Sequence, residues 1–325
     1  MRLRSASLTG VVPSQPVSPP PNDAALPPAG RFAPSPSGDL HLGNLRTALA
    51  AWGFARATGR KFILRVEDLD RVKKGAAERN VADLAELGLT WDGPVDYQAP
   101  RIPQFLQEVQ RLTDAGLTYE CYCTRKEIHA AASAPHDIPG AYPGTCRNLS
   151  GEARERRRQE RPPAIRLRAD VREFTVHDYF AGEYTGAVDD MVLVRNDGTP
   201  AYNLAVVVDD AQQGIDQVVR GDDLLSSAPR QAYLAGLLGY PAPEYVHVPL
   251  VLGPTGARLA KRDGAVTLDE LHALGYGTRD VLLWLGDSLG VNHPLNTTAD
   301  LLKDWNPRAW NSDPATFTEW PAKLA

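Results

Sequence analysis

The apolar positions of the chain follow strand-like and helix-like spacings in turn. After an apolar start near residue 31 and a loop, "LRTALAAWGFARATG" repeats apolar residues at helical spacing and stops at Gly59. "KFILRVED" predicts a buried strand, and "AAERNVADLAELGL" predicts a second helix. The order from Arg31 to Leu89 is therefore strand, loop, helix, strand, helix, which predicts a parallel sheet covered by helices.

A second block with the same organisation follows later in the chain. "MVLVRNDGTPAYNLAVVVDDAQQGIDQVVRG" is rich in β-branched residues around an "NDG" turn, which predicts strands, and "SAPRQAYLAGLLG" predicts a helix. We expect the two blocks to form one sheet. Between them, Thr118 to Glu183 contains all three cysteines, a run of arginines and several prolines, and this shift predicts an inserted module. After Pro254 the pattern becomes helical and then fades.

These patterns divide the chain into five predicted parts and give an α/β fold class. Residues 1–29 are rich in proline and serine and cannot bury enough apolar surface to fold, so we expect a disordered tail. Residues 30–117 and 186–253 would form the two halves of the main domain, and residues 118–185 the inserted module. Residues 254–325 would form a loop followed by a short helical region.

Composition narrows the class of protein. A chain of 325 residues with 43% hydrophobic residues can form a packed core and more than one folding unit. Its apolar runs are far shorter than the roughly 18 residues that cross a bilayer, and the first 29 residues lack the apolar core of a signal peptide. Three cysteines, an odd number, fit a reducing cytoplasm with a metal site or buried thiols. The net charge of -5 means that a nucleic-acid partner would need a local basic patch.

The loop "RFAPSPSGDLHLGN", from Arg31 to Asn44, connects the first predicted strand to the first predicted helix. A glycine-rich turn at this place directs backbone N–H groups and the positive end of the helix dipole towards one point, which suits a phosphate. His41 adds a donor, and Gly43 leaves room for a flat ring close to the backbone. An ordinary strand-to-helix connection is the alternative interpretation.

Several motifs together resemble a known family. "PSPSGDLHLGN" resembles the HIGH signature of class I aminoacyl-tRNA synthetases, and "RFAPSPSG", "LRVEDLD", "AYNLAVVVDD" and "VVRGDDLL" resemble its glutamate-activating branch. The resemblance covers roughly Gly30 to Leu268. "RLAKR" stands where the second signature, KMSKS, is expected, with Arg258 for the usual first lysine and Ala260 for the usual serine. Lys261 keeps the position whose ammonium meets the ATP phosphates.

The resemblance implies a fold and a reaction. The main domain would be the Rossmann-like catalytic domain of a class I synthetase, the insertion a zinc-binding module that contacts the tRNA acceptor, and residues 254–325 the KMSKS-like loop with a helical region. The α-carboxylate of glutamate would attack the α-phosphorus of ATP, releasing pyrophosphate and leaving glutamyl-adenylate, with Mg²⁺ accompanying the ATP. Catalysis is assigned to His41 and Lys261, and ATP binding to the same two residues with Gly43 and Asn44.

The resemblance also assigns a pocket for glutamate. Arg31 and Arg220 would bind its two carboxylates, and Glu67 its ammonium. Ser35 would add a hydroxyl contact, and Tyr202 would close the side-chain pocket. The alternative interpretations are a surface charge for Arg31, an acid at a helix start for Glu67 and a core aromatic residue for Tyr202. Asp222 and Asp223 would contact a ribose or cap the next helix.

The three thiols of the predicted module belong to Cys121, Cys123 and Cys146. Thiolates suit Zn²⁺, which takes four tetrahedral ligands, and the candidates for the fourth are Tyr142, His129 and His136. Spacing alone favours a histidine, whereas the resemblance points to Tyr142. Three reduced structural cysteines without a metal remain the alternative.

"ARERRRQERPPAIRLR" is the dense basic segment of the chain. Glutamate and arginine neighbours at helical spacing are typical of a solvated helix. The alternative is a contact with tRNA phosphates through residues such as Arg156, Arg157 and Arg158.

A similarity to a narrower group within the family indicates which RNA receives the activated glutamate. Short members of the family share the "APSPSG" loop and the Cys-x-Cys insertion, and they place glutamate on queuosine in the anticodon of tRNA(Asp). Since the chain stops soon after its catalytic core, we expect no anticodon-binding domain of the usual kind. The expected partners are L-glutamate, ATP and queuosine-containing tRNA(Asp), for a cytoplasmic monomer that contacts no membrane. The alternatives are a truncated glutamyl-tRNA synthetase that acts on tRNA(Glu) and a non-catalytic regulatory paralogue.

Overall fold

A mainly parallel seven-stranded sheet forms the centre of the computed structural model, which describes residues 26–124, 126–128, 142–259 and 266–318. In spatial order its strands are β3 (Asp96–Tyr97), β2 (Lys61–Val66), β1 (Ala29–Phe32), β9 (Ile215–Gly221), β10 (Glu244–Val248), β6 (Glu173–Asp178) and β7 (Gly182–Ala187). Neighbouring strands run parallel except β6 and β7, which are antiparallel. The predicted α/β class and the single sheet built from both blocks are confirmed.

Helices among the described residues include α1 (Leu42–Ala57), α2 (Ala76–Glu86), α3 (Ile102–Asp114), α4 (Gly151–Glu160), α5 (Tyr202–Gln212), α6 (Ala228–Leu237), α7 (Leu268–Ala273) and α8 (Thr278–Leu289). α1 packs against one face of the main sheet and α6 against the other, whereas α4 is exposed. The apolar side of α1 packs into the largest hydrophobic core together with strands of the sheet and with α8. Its buried Arg46 donates to both Ser288 Oγ and the Ser288 carbonyl in α8, so a charged residue joins two helices inside this core. No helix among the described residues is long and apolar enough to cross a membrane.

Two smaller sheets complete the strands that the structure describes. β4 (Thr118–Cys121), β5 (Ala164–Leu167) and β8 (Val192–Val194) form an antiparallel sheet, and β11 (Val251–Leu252) pairs in parallel with β12 (Ala315–Thr316). The segment predicted as one module, residues 118–185, therefore divides between two sheets, because β6 and β7 extend the main one. β8, beyond the predicted boundary, pairs with β5. The composition shift marked the thiols and arginines, which do not determine strand pairing.

Two local expectations differ from the structure. "AYNLAVVVDD" forms α5 rather than a strand, since every residue from 204 to 210 is buried and neither the period of a helix nor that of a strand is visible. Ala29, predicted as the end of the tail, is the first residue of β1 and only 1% exposed. Residues 1–25 of the predicted tail lie outside the described residues.

The order of the strands fixes where a ligand can enter. β1 lies between β2 on one side and β9 on the other, so the chain order reverses beside it. In open parallel sheets the crevice at the carboxyl ends of the strands flanking such a reversal is the usual binding place. The residues that follow β1 and β2, and those that end β9, meet at this crevice.

Candidate active site

A cavity of about 680 Å³ opens at the carboxyl ends of β1, β2 and β9. Eight of the predicted substrate residues line it, namely Arg31, Ser35, His41, Gly43, Asn44, Glu67, Tyr202 and Arg220. Five arginine or lysine side chains and three carboxylates lie among its lining residues, which favours an anionic ligand. Lys261, Ala260 and Arg262 lie outside the described residues.

His41 caps the first helix instead of leaving its amides open. Its Nδ1 accepts hydrogen bonds from the N–H groups of Gly43 (3.1 Å) and Asn44 (3.3 Å), while the N–H of Leu42 donates to the Val266 carbonyl (2.9 Å). The sequence predicts N–H groups directed at a phosphate here, but those of Leu42, Gly43 and Asn44 have acceptors within the protein. Because Nδ1 is an acceptor, the neutral imidazole carries its proton on Nε2, and the residue lines the cavity.

Gly43 provides room for a ring, and the imidazole of His41 occupies that room. A Cβ atom at residue 43 would stand 3.0 Å from Cε1 and 3.1 Å from Nδ1 of His41. Asn44 completes the cap, since its Oδ1 accepts from the backbone N–H of His41 at 3.2 Å. A side chain at residue 43 would thus displace the predicted catalytic histidine.

A buried charge network holds one side of the cavity. Arg31, 4% exposed, donates from Nε to Asp210 Oδ1 at 3.1 Å and from Nη1 to the Val219 carbonyl at 3.3 Å. Arg65, fully buried in β2, donates from Nη2 to the same Asp210 oxygen at 2.8 Å and lies 3.5 Å from Glu67 Oε1. Asp210 therefore bridges two arginines and fixes the position of the one that faces the cavity.

The pKa values of Glu67 and Asp210 shift in opposite directions within this network. Burial raises the pKa of Glu67 above its ordinary value, although Arg65 and Arg31 oppose the shift. Burial also acts on Asp210, but the two arginines outweigh it and lower the pKa of that carboxyl. Sequence reasoning missed Asp210 and Arg65, and the signal available was a charged residue inside each apolar run, "FILRV" and "AVVVDD".

Tyr202 and Ser35 stand at the open side of the cavity. Tyr202 is the first residue of α5, lines the cavity and is 42% exposed. Loss of solvation raises the pKa of its hydroxyl, helped by the charge of Glu67 and opposed by Arg220 and Arg31. Ser35 is exposed in the loop after β1. Tyr202 is thus a lining residue, rather than the core aromatic of the alternative interpretation.

Arg220 is the second-last residue of β9, which is separated by β1 from the strand that precedes Glu67. Its Nε donates to His247 Nε2 at 3.0 Å, its Nη1 to Gln231 Oε1 at 2.8 Å, and its Nη2 to the Leu224 carbonyl at 3.3 Å. The guanidinium is thereby locked in one orientation. At the mouth, Arg258 pairs with Asp223 at 2.7 Å, so this residue of "RLAKR" lines the same cavity.

The predicted metal ligands come together away from this cavity. The sulfur atoms of Cys121, Cys123 and Cys146 lie within 4.8 Å of one another. The hydroxyl of Tyr142 is 3.3 Å from the Cys121 sulfur and 3.6 Å from the Cys123 sulfur, and it accepts from the Cys146 N–H at 2.8 Å. The guanidinium of Arg166 lies 3.7 Å above the Tyr142 ring. His129 and His136 lie outside the described residues.

These spacings fit a tetrahedral zinc site. Zn–S bonds near 2.3 Å and a Zn–O bond near 2.0 Å require about 3.8 Å between two sulfurs and about 3.5 Å between sulfur and oxygen. The Cys123 and Cys146 sulfurs are 3.5 Å apart, and the distances from the Tyr142 hydroxyl to the Cys121 and Cys123 sulfurs, 3.3 and 3.6 Å, are close to the second value. Burial raises the pKa of Cys123 to about 12, so a bound cation would have to stabilise its thiolate. The cluster is compatible with zinc.

The first part of the basic segment lies in the exposed helix α4, and its last part lies in β5, where Arg166 is buried. Arg158 pairs with Glu120 at 2.8 Å and with Glu155 at 3.1 Å, while Arg156 and Arg157 lie 3.9 Å and 4.0 Å from Glu152 and Glu160. These pairs are those of the solvated-helix interpretation. A phosphate contact would have to compete with them.

The chain matches the model of a protein family described as tRNA synthetases class I (E and Q), catalytic domain, over residues 29–291. A glutamyl-Q tRNA(Asp) synthetase of Nocardia farcinica is 61% identical over 292 residues, which are 90% of this chain and 93% of that protein. A glutamyl-Q tRNA(Asp) synthetase of Cutibacterium acnes is 55% identical, covering 81% of this chain and 76% of that protein. The similarity extends far beyond the short motifs.

Solved structures give the same architecture. A glutamate tRNA ligase from Elizabethkingia meningosepticum, in complex with its amino acid, superposes with a TM-score of 0.77 at 28% identity. The alignment covers 89% of this chain and 66% of that ligase, so the chain spans slightly less than two thirds of the ligase's length.

Proposed function

The chain belongs to the class I tRNA synthetases of the glutamate and glutamine type, and from this premise we propose that it activates L-glutamate with ATP and transfers it to queuosine in the anticodon of tRNA(Asp). It is an ATP-dependent ligase. The identity of 61% over 90% of the chain with a glutamyl-Q tRNA(Asp) synthetase carries the proposal. The cavity with its excess of cations supports a substrate that brings carboxylates and phosphates.

We propose that each charged group of glutamate binds to a side chain of opposite charge in the cavity. Glu67 is the acid that can hold the α-ammonium, and the ammonium would in turn favour the ionised form of this buried carboxyl. Arg31 and Arg220 supply planar guanidinium groups for the two carboxylates. Tyr202 closes the side-chain end, and Ser35 adds a hydroxyl at the opening.

The reaction joins an oxygen of the α-carboxylate to the α-phosphorus of ATP and breaks its bond to pyrophosphate. Such a transfer depends mainly on positioning and on donors for the charge that develops on the phosphate oxygens. We assign one donor to the Nε2–H of His41, whose ring is held by the two hydrogen bonds to its Nδ1. Lys261 is the second, by its position in "RLAKR". Mg²⁺ arrives with the nucleotide and requires few protein ligands, of which we assign none.

In the second half-reaction a hydroxyl of the acceptor attacks the acyl carbon and displaces AMP. The cyclopentene diol of queuosine can stand in for the ribose diol of a tRNA terminus as the nucleophile. An anticodon loop offers unstacked nucleotides, as the tRNA terminus does, and such loops are usual targets of specific RNA recognition. We propose that the protein works as a cytoplasmic monomer on this loop.

The test is acylation with labelled glutamate. Queuosine-containing tRNA(Asp) should become labelled, and the label should remain when the terminal adenosine is removed, because the ester is on the anticodon base. tRNA(Asp) without queuosine is the matched control and should stay unlabelled. Label at the 3′ end of tRNA(Glu) would replace the proposal with a glutamyl-tRNA synthetase, and absence of ATP–pyrophosphate exchange with glutamate would favour the regulatory paralogue.

We propose that zinc binds Cys121, Cys123, Cys146 and Tyr142. The ion would fix the loop at residues 142–149 against the end of β4, a structural rather than a catalytic task, because the cluster contributes no residue to the cavity lining. Tyr142 is preferred over a histidine as the fourth ligand because its hydroxyl already lies among the sulfurs.

The purified protein is expected to contain about one equivalent of zinc. Cys121→Ser should lose most of the metal and lower the Tm by several degrees, since metal binding and folding are coupled. Tyr142→Phe keeps the thiols and the ring beneath Arg166, so reduced zinc affinity in this variant isolates the hydroxyl. Metal analysis and thermal unfolding measure both effects, and full zinc retention by Tyr142→Phe would assign the fourth position to another residue.

A further inference from the structure

A chain of buried polar groups stands behind Arg220. His247, 3% exposed in β10, accepts from Arg220 Nε on its Nε2 atom at 3.0 Å. Its other nitrogen, Nδ1, lies 2.7 Å from Asp178 Oδ2 at the end of β6. The three residues come from three adjacent strands of the main sheet, and Asp178 and His247 do not line the cavity.

The hydrogen bonds fix the tautomer of His247. An arginine Nε carries a hydrogen and can only donate, so Nε2 of His247 must be an unprotonated acceptor and the ring proton must reside on Nδ1, directed at Asp178. Burial lowers the pKa of His247, while Asp178 opposes the shift. A neutral ring with this tautomer is the form that satisfies both neighbours.

Asp178 is built to remain a carboxylate. It is fully buried and accepts from the backbone N–H groups of Phe180, Ala181 and His247 at 3.0, 2.9 and 3.0 Å. Burial alone would raise its pKa, but these hydrogen bonds and the one to the imidazole outweigh burial and lower it. The carboxylate thus holds the imidazole proton on Nδ1.

The charge of Arg220 is oriented without being neutralised. Its three acceptors are an imidazole, an amide and a backbone carbonyl, all uncharged. Within the described ranges no carboxylate lies within the 4.0 Å ion-pair distance of its guanidinium, whereas Arg31 is paired with Asp210 at 3.1 Å. Arg220 therefore keeps an uncompensated positive charge at the cavity wall.

We propose that His247, oriented by Asp178, is the positioning residue that holds Arg220 as an uncompensated cation and so sets the preference of the pocket for a side-chain carboxylate over an amide. This inference rests on the proposed activation of glutamate. A carboxylate in place of His247 would position the guanidinium equally well but would neutralise it. A neutral acceptor is the group that orients Arg220 and leaves its charge for the substrate.

The test compares three variants by ATP–pyrophosphate exchange without tRNA. His247→Leu removes the acceptor and should raise the KM for glutamate about tenfold, with kcat and the KM for ATP changed less than about threefold, because a buried donor loses its partner. The preference for glutamate over glutamine should fall with it. His247→Gln offers a neutral oxygen and should restore much of both. Val246→Ala, buried in the same strand, should lower the Tm and leave the KM for glutamate unchanged.

Equal losses in His247→Leu and His247→Gln, or an unchanged preference in both, would overturn the proposal. A second measurement uses the wild-type protein alone: in ¹⁵N-histidine spectra at pH 7, His247 should give the pattern of a neutral ring protonated on Nδ1. A ring protonated on Nε2 contradicts the assignment. If no amino acid supports ATP–pyrophosphate exchange by the wild-type protein, the proposed function itself is wrong, whatever the variants show.

Discussion

Arg220→Gln is expected to lower kcat/KM for glutamate on the order of 100-fold, with most of the loss in KM. Leaving a charged group unpaired in a closed site costs on the order of 2 to 5 kcal/mol, and here the unpaired group would be the substrate carboxylate. Because the side-chain carboxylate does not change during the reaction, the contact is the same in ground and transition state, which places the loss in KM. Steady-state ATP–pyrophosphate exchange measures both parameters.

The same variant should change specificity. The wild-type protein should prefer glutamate over glutamine by more than tenfold, because an amide cannot compensate the charge of Arg220. Arg220→Gln should bring the two amino acids close together. Arg56→Gln, which breaks an outer pair with Asp92 at 2.6 Å, is the matched control and should leave both KM values unchanged. If the Arg220 variant prefers glutamate over glutamine as strongly as the wild type does, another residue recognises the side chain.

The predicted residues of the cavity could be identified because they sit in short motifs. Arg31 lies in β1, Glu67 directly follows β2 and His41 precedes α1, and parallel strands bring their carboxyl ends together. Tyr202 was identified although its segment was misread as a strand, since the motif and not the local period located it. The resemblance supplied these positions, and the cavity gathers them.

The residues that support them were not predictable from one sequence. Asp178 and His247 are 69 positions apart, and their contact exists only because β6 pairs with β10. The segment holding Asp178 was assigned to the inserted module, which gave no reason to place it in the main sheet. A lone histidine in the apolar strand "YVHVP" was the available signal, and a buried polar residue of this kind needs a partner that only the tertiary structure reveals.

Lys261→Ala is expected to reduce the rate of glutamate activation about 100-fold or more while the KM for glutamate changes less than about threefold. A cation that acts on charge developing between the α- and β-phosphates strengthens its contact in the transition state, so its loss lowers kcat. The departures around it in "RLAKR" leave this ammonium as the retained element of the signature, since Arg258 is already paired with Asp223. Pre-steady-state formation of glutamyl-adenylate measures the step directly.

Two further variants accompany Lys261→Ala: one keeps the positive charge at residue 261 on a different group, and the other is a control at an exposed lysine. Lys261→Arg keeps the charge on a bulkier, planar group and should recover only part of the rate, because a point charge near the phosphates differs from a guanidinium fork in reach and geometry. Lys303→Ala removes a lysine that is 70% exposed and paired with Asp300, and it should activate glutamate at the wild-type rate. An equal loss of glutamate affinity in Lys261→Ala would mean that this residue shapes the amino-acid pocket, and the phosphate charge would then fall to His41 and the cations of the cavity mouth.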